Sequence, residues 1–190
     1  MKKSLGAGTI ALPLPAWVIG SYDEAGKPNA MTAAWAGICC SQPPCLYFAV
    51  RTSRYTHSCV AARQAFTVNI PSNKHAAAVD YFGCVSGRAV NKISMAGLTA
   101  QPGTHVDAPY IAEFPLVLEC KVVQALELGT HVMFIGEIVE VICDEELLGA
   151  DGKPDVTKIQ PIVYSTVDGT YYAVAGAVGR AYALGKDLGR

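Results

Sequence analysis

The sequence predicts a mainly β protein, a β-barrel with a few short helices, built as one domain over residues 1–190. Three observations carry that prediction. Short runs rich in β-branched and aromatic residues recur between clusters of Gly, Pro and Asp, the punctuation of strands and turns. Two long apolar runs flank a single glycine-containing turn at 128–130. Only two stretches carry a helix-start signal, and both are short. Closure into a barrel is expected because it removes the exposed strand edges of an all-β chain.

In chain order, Trp17–Tyr22 is the first strand, and Asp23, Glu24, Gly26 and Pro28 form a turn cluster. The run 29–35 then returns, which is a hairpin pattern. A strand over 45–50 follows Pro43 and Pro44. Thr52 or Ser53 is placed to cap a helix reaching about Arg63. Phe66, Thr67, Val68, Asn69 and Ile70 make a strand that stops at Pro71, and Ser72 precedes a second helix through Tyr81. The longest signal occupies 115–127 and returns over 131–141, where Val139 and Val141 flank Glu140 in strand alternation. Residues 150–155 read as an exposed loop, and no repeat or linker divides the chain.

Hydrophobic residues make up 51% of the chain and charged residues 16%, against about 25% charged in an average domain. That surplus predicts that some apolar surface is covered by a second subunit. The formal net charge is −1 with Lys and Arg scattered, so nothing forms the basic stripe that a nucleic-acid partner requires. Near the start, Gly6, Gly8, Pro13 and Pro15 interrupt an apolar run far short of the ~20 residues of a membrane helix. No membrane partner and a cytoplasmic location are therefore expected. Seven cysteines, an odd number without a Cys-x-x-Cys pair, suggest buried structural thiols in a reducing compartment. Metal ligation is not expected, because His57, His75 and His105 have no companions at ligand spacing.

Two segments carry chemistry. Residues 29–35 (Asn29, Met31, Thr32, Ala33 and Trp35 among them) are small, apolar and hydroxyl-bearing. Such a strand lets a flat ring approach its backbone closely; its plain reading is a core strand with one packed Trp. Residues 51–56 place Arg51 and Arg54 among Ser53, Tyr55 and Thr56. Guanidinium groups match phosphate oxygens in bidentate fashion, and a helix starting there would add its first N–H groups. An ordinary capped helix with solvated arginines is the equal alternative for that segment alone. Together the two predict a pocket for a flat ring with a phosphate tail, and FMN fits that description. No Gly-x-Gly-x-x-Gly or P-loop pattern offers another way to hold a nucleotide. Tyr164, Tyr171 and Tyr172 are assigned to packing.

Asn29-x-Met31-Thr32-x-x-Trp35, Arg51-x-Ser53-Arg54-x-Thr56 and Phe66-Thr67-Val68-Asn69 resemble the flavin reductase-like FMN-binding split-barrel family. The likeness continues through Asp80-Tyr81-Phe82-Gly83, Ser86-Gly87-Arg88, Asn91-Lys92 and the run from Pro115 to Cys120. Residues 1–6 and 38–41 narrow it to the flavoredoxin branch. The resemblance implies a homodimer of split barrels with noncovalent FMN near the dimer interface. It places Asn29, Met31, Thr32, Ala33 and Trp35 along the ring and ribityl chain, and Arg51, Ser53, Arg54, Tyr55 and Thr56 around the phosphate. Lys92 and His131 match positions that face the flavin and an incoming NAD(P)H; without the resemblance they read as a solvated loop lysine and an exposed turn histidine. Asn91 departs from the Asp common before that lysine.

The resulting expectation is an FMN-dependent oxidoreductase of the flavoredoxin type. Its electron donor or acceptor is a nicotinamide dinucleotide or a small redox protein. An NAD(P)H:flavin or ferric reductase and a non-catalytic flavin-binding module stand as alternatives.

Overall fold

The computed structural model describes residues 1–174, 176–186 and 188; positions 175, 187, 189 and 190 of the expected domain lie outside the described residues. In chain order the strands are β1 (Leu14–Pro15), β2 (Trp17–Tyr22), β3 (Pro28–Ala33), β4 (Ala36–Ser41), β5 (Pro44–Arg51) and β6 (Ala65–Ile70). They continue with β7 (Ala100–Pro102), β8 (Pro109–Ile111), β9 (Leu116–Leu128), β10 (His131–Cys143), β11 (Ile162–Ser165) and β12 (Thr170–Ala173). Helices are α1 (Tyr55–Arg63), α2 (Ala76–Cys84), α3 (Lys92–Met95) and α4 (Val156–Ile159). The expected hairpins form as β2–β3 and β9–β10, both antiparallel.

Seven strands make the main sheet in the order β3-β2-β6-β9-β10-β5-β4. Its curvature comes partly from two bulges in the β9–β10 hairpin, after Ile135 and Ile138. Gly136 lies at the first, where a Cβ would come 2.5 Å from the Phe66 ring. The predicted barrel is not closed by a hydrogen-bonded ladder: β3 and β4 are the two ends of the sheet, and no pairing joins them among the described residues. The reason lies in the two residues between them. After Ala34 the Trp35 carbonyl accepts the Ala49 N–H at 2.8 Å, which commits the chain to β5. β3 keeps a free edge.

Two apolar cores lie on either side of this sheet. Ile19, Leu46, Phe48, Phe66, Val68 and Phe134 fill the barrel interior. Val18, Ala30, Val79, Phe82, Ile93 and Phe114 fill the space between the sheet and the helices. Neighbours Val18 and Ile19 therefore face opposite cores, and β2 is buried on both faces. That explains its apolar run over 17–20 and the full burial of Ser21. The smaller sheet, in the order β1-β11-β12, packs against the second core through Ile162, Tyr164 and Tyr171.

The β7–β8 ribbon is tied to the barrel by polar atoms as well as by apolar burial, since Ile111 belongs to the second core and Ala108 is fully buried. Thr67 Oγ1 donates to the Pro109 carbonyl at 2.6 Å, and the Ile111 N–H donates to Asn69 Oδ1 at 2.8 Å. Asn69 Nδ2 in turn donates to the Val18 carbonyl at 3.0 Å. Glu119, fully buried, accepts the Thr104 and His105 N–H groups at 2.8 and 2.7 Å. A buried carboxylate held by two backbone donors is satisfied without a cation.

Two local expectations need correction. No side chain caps α1 through Thr52 or Ser53; Arg54 is the N-cap, extended and without a side-chain bond to the first turn. The thiols are not uniformly buried: Cys45, Cys59 and Cys120 are, whereas Cys39, Cys40 and Cys84 are exposed and Cys143 is half-buried. Strand alternation and a bulge in β4 set the exposed pair 39–40 outward, a detail that apolar composition does not encode.

Candidate functional site

The free edge of β3, the ends of β5 and α2, and the start of α1 meet in one cleft with two lobes. The smaller lobe, ≈ 250 Å³, is lined by Asn29, Arg51, Ser53, Arg54, Thr56 and Lys92, among others. Among the described residues it holds three cationic side chains and no carboxylate. The larger lobe, ≈ 470 Å³, is lined by Ala33, Trp35, Asp80, His131, Tyr164 and Tyr171, among others. Met31, Thr32, Arg51, Arg54 and Gly83 border both, which joins them into one site. Both lobes are within or near the size of small-molecule pockets, about 300–1,000 Å³.

Each position follows from local structure. Arg51 ends β5, opposite His131 in the ladder. One turn later the chain enters α1, held at both ends to the β2–β3 turn. At its start the Tyr55 hydroxyl donates to Asp23 Oδ2 at 2.7 Å. At its end Arg63 donates to the Asp23 carbonyl at 3.0 and 2.7 Å and pairs with Asp107 at 2.9 Å. The first turn of α1 has neither a capping side chain nor an acidic residue, so its positive end is left for the small lobe, which Tyr55 and Thr56 line.

Lys92 opens α3, whose first turn is capped by Asn91 Oδ1 accepting the Ser94 N–H at 3.3 Å. Its side chain is 3% exposed and donates to the Phe82 carbonyl at 2.9 Å. Burial, with Arg54 nearby, pulls its ammonium down to about 8. A loop lysine in solvent is thus replaced by a buried one facing the small lobe. Asn29 is also buried. Its Nδ2 donates to Thr56 Oγ1 at 2.9 Å and Ser21 Oγ at 3.2 Å, while Oδ1 has no partner. Because both hydroxyls donate as well as accept, the amide can rotate to offer either end to a ligand and keep its two bonds. Gly87 packs directly on it: a Cβ there would lie 2.1 Å from Asn29 Oδ1.

In the larger lobe Trp35 is 44% exposed, with its ring centroid 6.1 Å from that of His131. The His131 Nδ1 shares a hydrogen bond with Thr130 Oγ1 at 2.8 Å. Across the lobe, Tyr164 and Tyr171 stand 5.4 Å apart and serve both packing and lining. Burial and the neighbouring Asp80 push the Tyr171 phenol up to about 12. Thr32 Oγ1 donates to the Val79 carbonyl, pinning α2 over β3.

All eleven expected cofactor positions thus border this cleft, Met31, Thr32 and Ala33 from the β3 edge and the rest as described. Two groupings differ from expectation. Lys92 and His131 are not together, since Lys92 faces only the small lobe and His131 only the large one. The Tyr55 ring lines the small lobe, but its hydroxyl is taken by Asp23, which pushes the phenol up to about 12. Sequence reasoning missed Asp80, Gly83 and Cys84 of α2, Ser86 and Gly87 after it, and the lining role of Tyr164 and Tyr171. The resemblance touched residues 80–83 and 86–88, but only the packing of α2 on β3 gives them a role.

Three cations, among them a lysine with spare donors, an open helix start and an unpartnered buried amide oxygen fit an anionic ester with hydroxyls along its chain. The adjoining lobe of small residues and aromatic rings fits a planar ring system. This combination of fold and cleft defines a split-barrel flavoprotein. The flavin reductase like domain model matches residues 9–173, and the chain belongs to that family. Flavoredoxin of Desulfovibrio vulgaris (Miyazaki F) superposes with a TM-score of 0.94 at 46% identity, covering 98% of this chain and 100% of its own. Flavoredoxin from Methanosarcina acetivorans gives 0.92 at 33%, covering 99% and 100%. An uncharacterized protein of Archaeoglobus fulgidus is 38% identical over 76% of this chain and 79% of its own length. The family ties the chain to flavin-linked electron transfer or reduction.

Proposed function

We propose that the chain is an FMN-dependent oxidoreductase of the flavoredoxin type, passing electrons between a donor and a small redox protein or small-molecule acceptor. One observation carries this reading: a small lobe with three cations and no carboxylate opens into a larger lobe walled by the free edge of β3. Bound FMN would supply the ring that accepts and releases hydride or single electrons. The chain's residues do the rest. Arg51, Arg54 and Lys92 neutralise the phosphate with the help of the α1 start, Ser53 and Thr56. Asn29 serves the neighbouring hydroxyls. The free edge of β3 would offer N–H and C=O groups to the polar edge of a bound ring, where donors would stabilise added negative charge. Trp35 and His131, neighbours on the larger lobe, would flank an arriving donor, and His131 would orient it.

The charge of the larger lobe favours electron transfer over dinucleotide reduction. Its arginines are the two shared with the phosphate lobe, and Asp80 stands on its far wall. Among the described residues a dinucleotide pyrophosphate therefore finds only His131 beyond those arginines. We also infer a homodimer, because Trp35, Leu126 and Leu128 leave apolar surface exposed around the mouth of the site and the adjoining hairpin. A cytoplasmic location is supported by seven free cysteines.

The direct test is to purify the chain, release its ligand and weigh it. FMN in roughly one copy per chain is expected, and a colourless protein that takes up no flavin rejects the proposal. Anaerobic addition of NADH or NADPH then separates the two readings. Rapid bleaching supports the reductase. Bleaching only with a low-potential protein donor supports electron transfer.

A further inference from the structure

Away from the cleft, the β4–β5 hairpin gathers three of the seven thiols at the edge of the sheet, and we propose that Cys40 and Cys45 form a thiol–disulfide exchange site for low-molecular-weight disulfides. The two residues are direct cross-strand partners. Opposed residues in an antiparallel ladder have Cα atoms about 4.5–5.5 Å apart and side chains on one face. That separation falls inside the window of about 4.4–6.8 Å that a disulfide spans. The other pairings fail. Cys39 and Cys40 are neighbours at about 3.8 Å, below the window. Cys39 is also the extra residue of the bulge between Ile38 and Cys40, without a partner in the register, so it does not oppose Cys45.

Exposure divides the roles. Cys40 is exposed on β4, an end strand of the sheet, so an external disulfide reaches it. Cys45 is 5% exposed and is shielded from a bulky reagent. Burial pushes the Cys45 thiol up, and the nearby Cys40 and Cys39 sulfurs push it further. In the first step the Cys40 thiolate attacks one sulfur of R–S–S–R, that S–S bond breaks, and one R–SH leaves with the proton. Cys45 then loses its proton and attacks the Cys40 sulfur of the mixed disulfide, releasing the second R–SH. Two electrons and two protons pass from the protein to the small disulfide, leaving a Cys40–Cys45 bond. Excess small thiol runs the sequence backwards.

The test uses the full chain, reduced and then incubated with oxidised glutathione, with mass spectrometry under non-reducing conditions after free thiols are blocked. Two of the seven thiols should become unreactive, with a cross-link mapped to Cys40 and Cys45 and no glutathione retained. Cys45→Ser should instead hold one glutathione on Cys40, Cys40→Ser should form no cross-link, and Cys39→Ser should behave as the parent. Retained glutathione on Cys40 of the parent protein, a cross-link through Cys39, or an unchanged thiol count after hours would each overturn the proposal.

Discussion

Lys92 is the residue whose chemistry is most exposed to test, because it is buried, cationic and surrounded by other cations. In the free protein burial and Arg54 hold its ammonium down to about 8. A phosphate dianion in the small lobe favours the charged form and raises that value, so binding above pH 8 takes up a proton. By linkage, flavin affinity stays level from about pH 7 to 8 and then falls, by up to about tenfold per unit, until the bound-state value is passed. The ester's own second ionisation lies near pH 6, below this window. Lys92→Met, which keeps the volume, should bind FMN more weakly at pH 7 and lose the alkaline fall. Fluorescence titration of FMN across pH 7–10 decides the matter; an unchanged alkaline fall in the variant assigns it to another group. Arg54 has a simpler expectation. Removing a charge-assisted contact costs about 1.5–3 kcal/mol, so Arg54→Ala should weaken FMN by roughly tenfold to a hundredfold. Riboflavin affinity should change little. Equal losses for both ligands would place the phosphate elsewhere.

Elements are positioned here by close approaches that a sequence reading sees poorly. Gly20, mid-strand in β2, looks like a simple weakness in an apolar run. In the fold a Cβ there would lie 2.1 Å from the Pro109 carbonyl oxygen and 2.3 Å from Thr67 Oγ1. Those atoms already hydrogen-bond each other at 2.6 Å, so neither can yield without loosening the β7–β8 ribbon. Gly20→Ala should therefore cost about 1–3 kcal/mol, the range for forced overpacking. That corresponds to a fall in Tm of roughly 2–12 °C for a chain of this size. Calorimetry of the ligand-free protein reads it, and a Tm unchanged within a degree would show that the ribbon moves freely. The same contrast explains what was legible beforehand. β2, β3, β5, β6 and the β9–β10 hairpin announced themselves because their alternation or β-branched runs reflect burial. The one-turn helices α3 and α4 and the short β7, β8, β11 and β12 have too few residues to show a period. The basic and hydroxyl groups of 51–56 were readable as chemistry. Asp80, Gly83 and Gly87 were not, since their role comes from α2 lying over β3.

At the scale of the whole molecule, the cleft sits where both cores, the seven-stranded sheet and the β1-β11-β12 sheet meet, and this makes ligand binding a stability event. Met31 packs on the barrel core and Phe82 belongs to the second core, yet both border the small lobe. The larger lobe takes Val50 from the barrel core, and Tyr164 and Tyr171 from the smaller sheet. Unfolding either core therefore dismantles the site, and a ligand that binds only the folded chain stabilises all of it together. At a free concentration one hundred times its Kd, such a ligand adds about 2.7 kcal/mol. For a domain of this length that is a rise in Tm of roughly 5–10 °C. FMN should produce that shift in a single transition. Riboflavin, which lacks the phosphate proposed to sit against Arg51, Arg54 and Lys92, should need a much higher concentration to match it. A transition that splits in two on adding FMN, with only one part moving, would mean that the smaller sheet unfolds apart from the barrel and that the Tyr164–Tyr171 wall is not coupled to the site. A single shifted transition makes the wall, the β3 edge and the cationic lobe one cooperative unit.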